Sequence, residues 1–143
     1  MTDSIVPDSF KHAMIQPVTR QEIKDALFSI NPHKNPGQDG FSSGFFINSW
    51  ELISNDLCDA ISDFFSSGTL SKQVNATLVA LIPKKNVTQS VLDYRPISSC
   101  SVVYKTISKI LFTRITPVMQ LLIGLEKVAF MHNRNIFDNT RVS

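Results

Sequence analysis

The sequence predicts a helix-rich α/β (α+β) fold with one small antiparallel β-hairpin. Three observations support this class. Apolar residues recur at helical spacing along much of the chain, a short branched apolar run is bounded by proline, and a second extended segment follows a polar connection. With 143 residues, of which 43% are hydrophobic and 18% charged, the chain can bury one modest core.

The first predicted helix covers residues 19–30. It opens with the Thr-x-x-Glu spacing of a capping box, and apolar residues then repeat at helical intervals. Residues 31–40 contain two prolines and two glycines, so a shaped loop is predicted there. Pro36 and Gly37 fit the centre of a type II turn, in which Gly37 would take a positive φ. Asp39 is expected to make an Asx-type bond to the backbone.

Large apolar residues at helical spacing predict a second and a third helix. Those assigned to the second helix are Phe45, Phe46, Trp50 and Ile53, and those assigned to the third are Leu57, Ile61, Phe64 and Phe65. Gly68 is the predicted C-terminal stop of the third helix. Several helices are expected to pack around Trp50 and Phe64.

A small antiparallel hairpin is predicted over residues 76–99. Residues 76–82 are branched and apolar and end at a proline, which is typical of a buried strand. The connection over residues 84–93 is polar. Pro96 biases Arg95 toward extended geometry, so a second strand is expected to follow and to leave a basic hairpin tip.

An amphipathic helix is predicted over residues 102–115. Lys105 and Lys109 lie four residues apart on its polar side, away from the apolar stripe. The Thr-Pro pair at residues 116–117 is expected to cap and begin a further short helix.

Charge is unevenly distributed, although the net charge is only +2. Residues 1–65 contain nine acidic and four basic side chains, whereas residues 66–143 contain three acidic and ten basic ones. Such a basic excess suits a polyanion, because each neutralised phosphate releases counterions. A merely solvated basic surface is the alternative, and charge alone leaves both open.

Composition also bears on the compartment and on metal binding. Cys58 and Cys100 lack CxxC spacing and are expected to be reduced thiols. No apolar run approaches the ~20 residues of a membrane span, and the first residues do not resemble a secretory signal. We therefore expect an intracellular protein, of nucleus or cytoplasm, that is not secreted. Asp59 and Asp63 are four residues apart and are interpreted as a solvated helix face, not as metal ligands.

Five short motifs follow one another along residues 18–139. They are KNPGQDG at 34–40, LIPK at 81–84, YRPIS at 94–98, the YK, SK and R pattern of 104–114, and AF, R and DN within 129–139. In this order they resemble the fingers-side, N-terminal part of the reverse transcriptases of LINE-type, non-LTR retrotransposons, especially the copies common in plant genomes. Gln38, Lys127 and Asn133 depart from the usual pattern, which fits a decayed copy.

The resemblance implies an RNA-directed DNA polymerase, which extends a DNA primer on an RNA template with deoxynucleotide triphosphates. Such enzymes use two Mg²⁺ ions held by palm carboxylates. This sequence contains no Asp-Asp pair, and the family's order would place both carboxylate motifs after Ser143. We therefore expect a lead segment at 1–17 and a partial reverse-transcriptase domain (fingers side) at 18–143. Without the missing palm and thumb the chain is expected to bind no metal, contain no catalytic residue and be inactive.

The same resemblance implies which side chains bind ligands. Lys84 and Arg95 would reach the triphosphate of the incoming nucleotide. The cations assigned to template or primer phosphates are Lys105, Lys109, Arg114 and Arg134. On the residues alone, Lys84 is a solvated cation beside a strand, Arg95 is a turn residue that bonds nearby carbonyls, and the helix cations form a polar face.

Two alternatives to an enzyme fragment remain open at this point. The chain is either a non-catalytic nucleic-acid-binding module of another class, or a relic of a retroelement without a function. The first predicts salt-dependent binding to RNA or single-stranded DNA. The second predicts exposed apolar surface and no cooperative melting.

Overall fold

The computed structural model describes residues 7–122, and it confirms the mixed helix and strand class. One compact unit comprises Pro17–Ile110, and the other described residues, 7–16 and 111–122, belong to a second unit. The helices are α1 (Asp8–Ile15), α2 (Arg20–Phe28), α3 (Ser43–Asn48), α4 (Trp50–Ser67) and α5 (Val102–Leu122), and the strands are β1 (Thr77–Pro83) and β2 (Tyr94–Cys100). A single 3₁₀ turn, Val91–Asp93, directly precedes β2. None of the described helices combines the length and the hydropathy that a membrane span needs.

Helix α2 begins where its capping signal predicts. The Thr19 side chain accepts a hydrogen bond of 3.2 Å from the backbone N–H of Glu22, which satisfies one of the free donors of the first turn. The helix ends at Phe28, two residues earlier than predicted. Its last turn closes when the Ser29 N–H donates to the carbonyl of Asp25 at 3.0 Å.

The predicted boundary between the second and third helices is wrong. Ser49, with φ −95° and ψ 9°, separates α3 from α4, so Trp50 and Ile53 belong to the long helix α4. The Ser49 N–H donates to the carbonyl of Phe45, and its own carbonyl accepts from the N–H of Ile53, so one residue ends α3 and begins α4. Gly68 ends α4 with a φ of 69°, as predicted.

The core of the larger unit lies between α2, α4 and the first part of α5. Its buried apolar residues are Ile23, Ala26, Leu27, Trp50, Leu57, Cys58, Ile61, Val102, Ile107 and Ile110, with Phe64 packed against them. The predicted packing around Trp50 and Phe64 is confirmed. The rings of Trp50 and Phe28 pack edge to face with their centroids 5.9 Å apart, and the cations of Arg20 and Lys24 each lie 5.7 Å from the centroid of the Trp50 ring.

Strands β1 and β2 form the predicted antiparallel hairpin. Their register runs from Thr77 opposite Cys100 to Pro83 opposite Tyr94. The expected burial of β1 is wrong, because all seven of its residues are exposed and Leu81 is 59% accessible. Within the described residues the sheet has two strands, and the apolar side chains of β1 remain largely exposed. A short apolar run indicates a strand, and whether the strand is covered depends on elements elsewhere.

The loop over residues 31–40 is shaped differently from the predicted type II turn. Gly37 does not take a positive φ; Gly40 does, at 76°, and its N–H donates to the Gly37 carbonyl at 3.2 Å. Gly37 is instead needed for space, because a Cβ there would lie 2.6 Å from the backbone nitrogen of Ser101. The expected Asx-type bond is confirmed: Asp39 Oδ1 accepts from the N–H of Phe41 at 3.2 Å.

The predicted break before Pro117 is also wrong, because α5 continues through it as one helix. The Thr116 hydroxyl donates to the carbonyl of Phe112 at 2.7 Å. It therefore bonds back into the preceding turn and does not cap a new helix.

Two positions in α4 test whether the larger unit has a cooperative core. We expect Ile61→Ala to lower the free energy of unfolding by about 2–5 kcal/mol, since Ile61 is fully buried and truncation leaves a cavity. Leu52→Ala is the matched control on the same helix, because Leu52 is 86% exposed, and it should change stability by less than about 0.5 kcal/mol. Urea denaturation measures both. Equal effects, or a broad transition in the parent chain, would contradict this core.

Candidate nucleotide and nucleic-acid interface

The loop of residues 31–40, called the docked loop below, is held on the larger unit by side-chain hydrogen bonds to its carbonyls. Ser43 Oγ donates to the carbonyl of Asn31, and Ser99 Oγ donates to that of Pro36, both at 2.8 Å. Lys105 Nζ donates to the carbonyl of Asn35, also at 2.8 Å. The contacts come from α3, β2 and α5. They join the loop and the neighbouring helix α3 to β2 and α5, which are adjacent to each other but lie 63 and 70 residues after their partners in the loop.

Lys84 lies where β1 gives way to the hairpin loop. Its backbone N–H donates to the carbonyl of Asp93 at 2.7 Å, which extends the strand pairing by one position. Its ammonium donates to the carbonyl of Leu92 at 2.8 Å. Lys84 is exposed, but its ammonium contacts the hairpin loop that begins at this residue. One of the three donors of this ammonium is therefore used within the hairpin, while the ammonium keeps its charge.

Asp93 organises the rest of the hairpin loop. One carboxylate oxygen lies 2.7 Å from the ammonium of Lys85, and the other accepts from the N–H groups of Gln89 and Ser90 at 2.9 and 3.1 Å. The Ser90 side chain in turn accepts from the N–H of Leu92 and from that of Asp93, and the bond from Asp93 completes a capping box. The hydrogen bond from Lys85, followed by those from the backbone, lowers the pKa of Asp93 below its ordinary value.

Arg95 has a different environment from the two lysines. It lies opposite Ile82 in the register and is exposed. Directly opposite residues of antiparallel strands share a face, so Arg95 shares one with Ile82. Within residues 7–122 no hydrogen bond or ion pair engages the Arg95 side chain. Its guanidinium is thus available at the surface without the release of an internal partner.

The face of the hairpin that carries Arg95 contacts the docked loop at one end. Ser99 occupies the same face, four residues along β2, which corresponds to about 13 Å at the usual strand rise. Since Ser99 bonds to Pro36, the docked loop lies at the end of this face nearest α5, and Arg95 lies toward the tip. The hydrogen bond between Ser99 and Pro36 therefore joins this face of the hairpin to the docked loop.

The helix cations are less free than the sequence suggests. Lys105 and Lys109 are half-buried, and Lys105 is bonded to the docked loop. In the second unit, Arg114 donates to the carbonyls of Met14 and Gln16 at 3.2 and 2.7 Å, at the C-terminal end of α1. Cations stabilise helices at that end. The predicted contact residue Arg134 lies outside the described residues.

Acidic and thiol groups of residues 7–122 form no cluster of three or more that could hold a metal ion. Asp59 and Asp63 are both exposed on α4. Cys58 and Cys100 are free thiols, and burial raises the pKa of Cys58, which keeps it in the unreactive thiol form.

Sequence reasoning missed Ser99 and Asp93 as organising residues. Asp93 carried a weak signal, as the one acid in the basic stretch between residues 66 and 125. Ser99 carried none, because its partner is a backbone carbonyl 63 residues away.

Comparison with protein-family models gives no match. The chain is similar to a transposon-encoded protein, the "Transposon TX1 uncharacterized 149 kDa protein" of Xenopus laevis. The two are 28% identical over 135 residues, which cover 94% of this chain. The chain spans only 10% of the length of that protein. It is therefore related to a small part of a transposon protein.

The pKa of Asp93 can be measured by a carboxyl NMR titration. We expect a value below the ordinary 3.8, and an increase toward it in Lys85→Gln, which removes the ion pair. Because the folded-state pKa is lowered, the stabilisation by Asp93 is present above its unfolded pKa and is lost as the pH falls through its folded pKa. Lys72→Gln, an exposed lysine remote in sequence from the hairpin loop, is the control. An Asp93 pKa unaffected by Lys85→Gln would refute the pairing.

Proposed function

We propose that this chain is a fingers-side segment of the reverse transcriptase of a LINE-type, non-LTR retroelement. It would bind the deoxynucleotide triphosphate and the RNA template with its DNA primer. The observation that carries the proposal is spatial: the KNPGQDG loop is bonded to the strand of YRPIS and to the helix of YK, and LIPK is paired with YRPIS. Three of the motifs that resemble the family, and the YK of a fourth, are thus also in contact with one another.

Arg95 is the better candidate of the two proposed nucleotide ligands. A guanidinium is always charged and offers bidentate donors that match phosphate oxygens. The Arg95 side chain is exposed and has no partner within residues 7–122, whereas the Lys84 ammonium already gives one of its donors to the carbonyl of Leu92. We therefore assign the main triphosphate contact to Arg95 and an auxiliary one to Lys84.

The proposed contacts to template and primer come from Lys109 and Arg114 of α5, together with Arg134, and Lys105 adds positive charge at the same surface. Phosphate contacts of this kind position a nucleic acid without reading its sequence. Binding is therefore expected to tolerate different sequences and to weaken steeply with salt. The basic excess of residues 66–143 supports this part of the proposal.

Catalysis would belong to the longer polymerase. Two Mg²⁺ ions supply in-line stabilisation of the attacking and leaving oxygens, and the family holds them with carboxylates of a later motif. In this chain the proposed role is to bind and orient phosphates. The expected plant-like origin likewise remains a prediction.

A non-catalytic nucleic-acid-binding module is the second candidate, and the same basic excess favours it. The two candidates differ in whether the chain binds a free nucleotide triphosphate. A fingers segment should bind a nucleotide triphosphate through Arg95, whereas a general nucleic-acid module should bind oligonucleotides and ignore free nucleotides.

Arg95→Ala is expected to weaken deoxynucleotide triphosphate binding by about tenfold or more, because a hydrogen bond to a charged group contributes about 1.5–3 kcal/mol. Lys84→Ala should have a smaller effect, and Lys72→Ala should have none. Isothermal titration calorimetry with each purified variant measures this order. Equal losses in all three would mean that only net charge matters and would refute the assigned contact.

Primer extension tests the proposed division between binding and chemistry. The purified chain, given Mg²⁺, deoxynucleotides and a primer annealed to an RNA template, should add no nucleotide. Extension that copurifies with the folded protein would refute the proposal that this segment binds without catalysing.

A further inference from the structure

Lys105 could either bind a phosphate or hold another segment of the chain. As a phosphate ligand it would point its ammonium into solution, toward a bound strand. Its ammonium is instead 2.8 Å from the carbonyl of Asn35, seventy residues earlier in the chain, and its side chain is half-buried. The contact therefore joins α5 to the docked loop.

The docked loop contacts β2, α5 and the residue between them through three consecutive residues. Asn35 and Pro36 present their carbonyls to Lys105 and Ser99, and Gly37 then passes against the backbone of Ser101. Lys34 lies immediately before these residues. Its backbone N–H donates to the carbonyl of Asn31 at 3.2 Å, while its exposed side chain makes no hydrogen bond or ion pair within residues 7–122. Fixing the next three residues fixes the backbone that carries this free cation.

We propose that Lys105 is a positioning residue, which supports nucleic-acid binding by holding the docked loop at the end of the Arg95 face. This inference rests on the proposed function, since it assigns Lys105 an indirect role at the same surface. A lysine suits the task because its ammonium has three donors on a flexible stem and can reach a carbonyl across the surface.

Gly37 provides an independent way to release the loop without changing any charge. An added Cβ would meet three backbone atoms of Cys100 and Ser101 at 2.6 to 2.8 Å. Backbone cannot swing aside as a flexible side chain does, so Gly37→Ala should displace the loop. Gln38→Ala, at an exposed position in the same loop, is the matched control.

Two measurements on Lys105→Met and Gly37→Ala test the proposal. Trypsin cleavage of the bond between Lys34 and Asn35, followed by mass spectrometry, reports how often the loop opens. Fluorescence anisotropy with a single-stranded oligoribonucleotide gives the affinity and its salt dependence. We expect both variants to be cleaved faster and to bind several-fold more weakly, with the salt slope of Gly37→Ala unchanged. Lys72→Met and Gln38→Ala should match the parent chain in both measurements.

The outcomes separate this inference from the proposed function. If Lys105→Met weakens binding and lowers the salt slope by about one phosphate contact while cleavage stays unchanged, Lys105 is a direct ligand and the positioning role is refuted. If Gly37→Ala opens the loop but binds normally, the loop position is irrelevant and the inference also fails. If the parent chain binds no oligonucleotide, the proposed function itself is refuted, and the cleavage data still show whether Lys105 holds the loop.

Discussion

The close approach of the docked loop to the start of α5 is the constraint on which the candidate surface depends. Only a glycine lets the chain pass Ser101, because any Cβ at Gly37 would overlap backbone atoms. Once the loop lies there, its carbonyls face Ser99 and Lys105, which satisfy them with short hydrogen bonds. The loop, the hairpin and α5 thus meet at one junction, and a substitution in any of them should shift the positions of the other two.

The hairpin, unlike the closely packed loop, is exposed: within residues 7–122 its sheet has two strands, and every residue of β1 is accessible to solvent. Its order comes from the strand pairing and from the loop that Asp93 organises. That loop uses Lys84 and Lys85 as internal partners, so the basic tip predicted from the sequence is partly neutralised by its own chain. Arg95 remains available because it extends from the strand and not from the loop.

Features with causes within a few residues were predictable from the sequence. The cap at Thr19, the stop at Gly68 and the Asx-type bond of Asp39 each need only a neighbouring backbone group. Other features depend on distant partners, and there the predictions were wrong or missing. Gly37 is set by Ser101, sixty-four positions later, and the exposure of β1 reflects what the rest of the fold leaves uncovered. Residue types can suggest a phosphate site, but only the tertiary contacts show which cations are already in use.

Holding a loop and attracting a polyanion are compatible uses of one lysine. The ammonium of Lys105 gives one of its three donors to Asn35 and keeps its full charge, so it still adds to the positive potential of the surface. At physiological salt that potential decays over about 8 Å, which makes the exact placement of nearby cations more important than their number. Cations on a loop that is held in place therefore contribute more to binding than the same cations on a mobile loop. This favours a surface in which some basic residues orient the chain while others contact the phosphates.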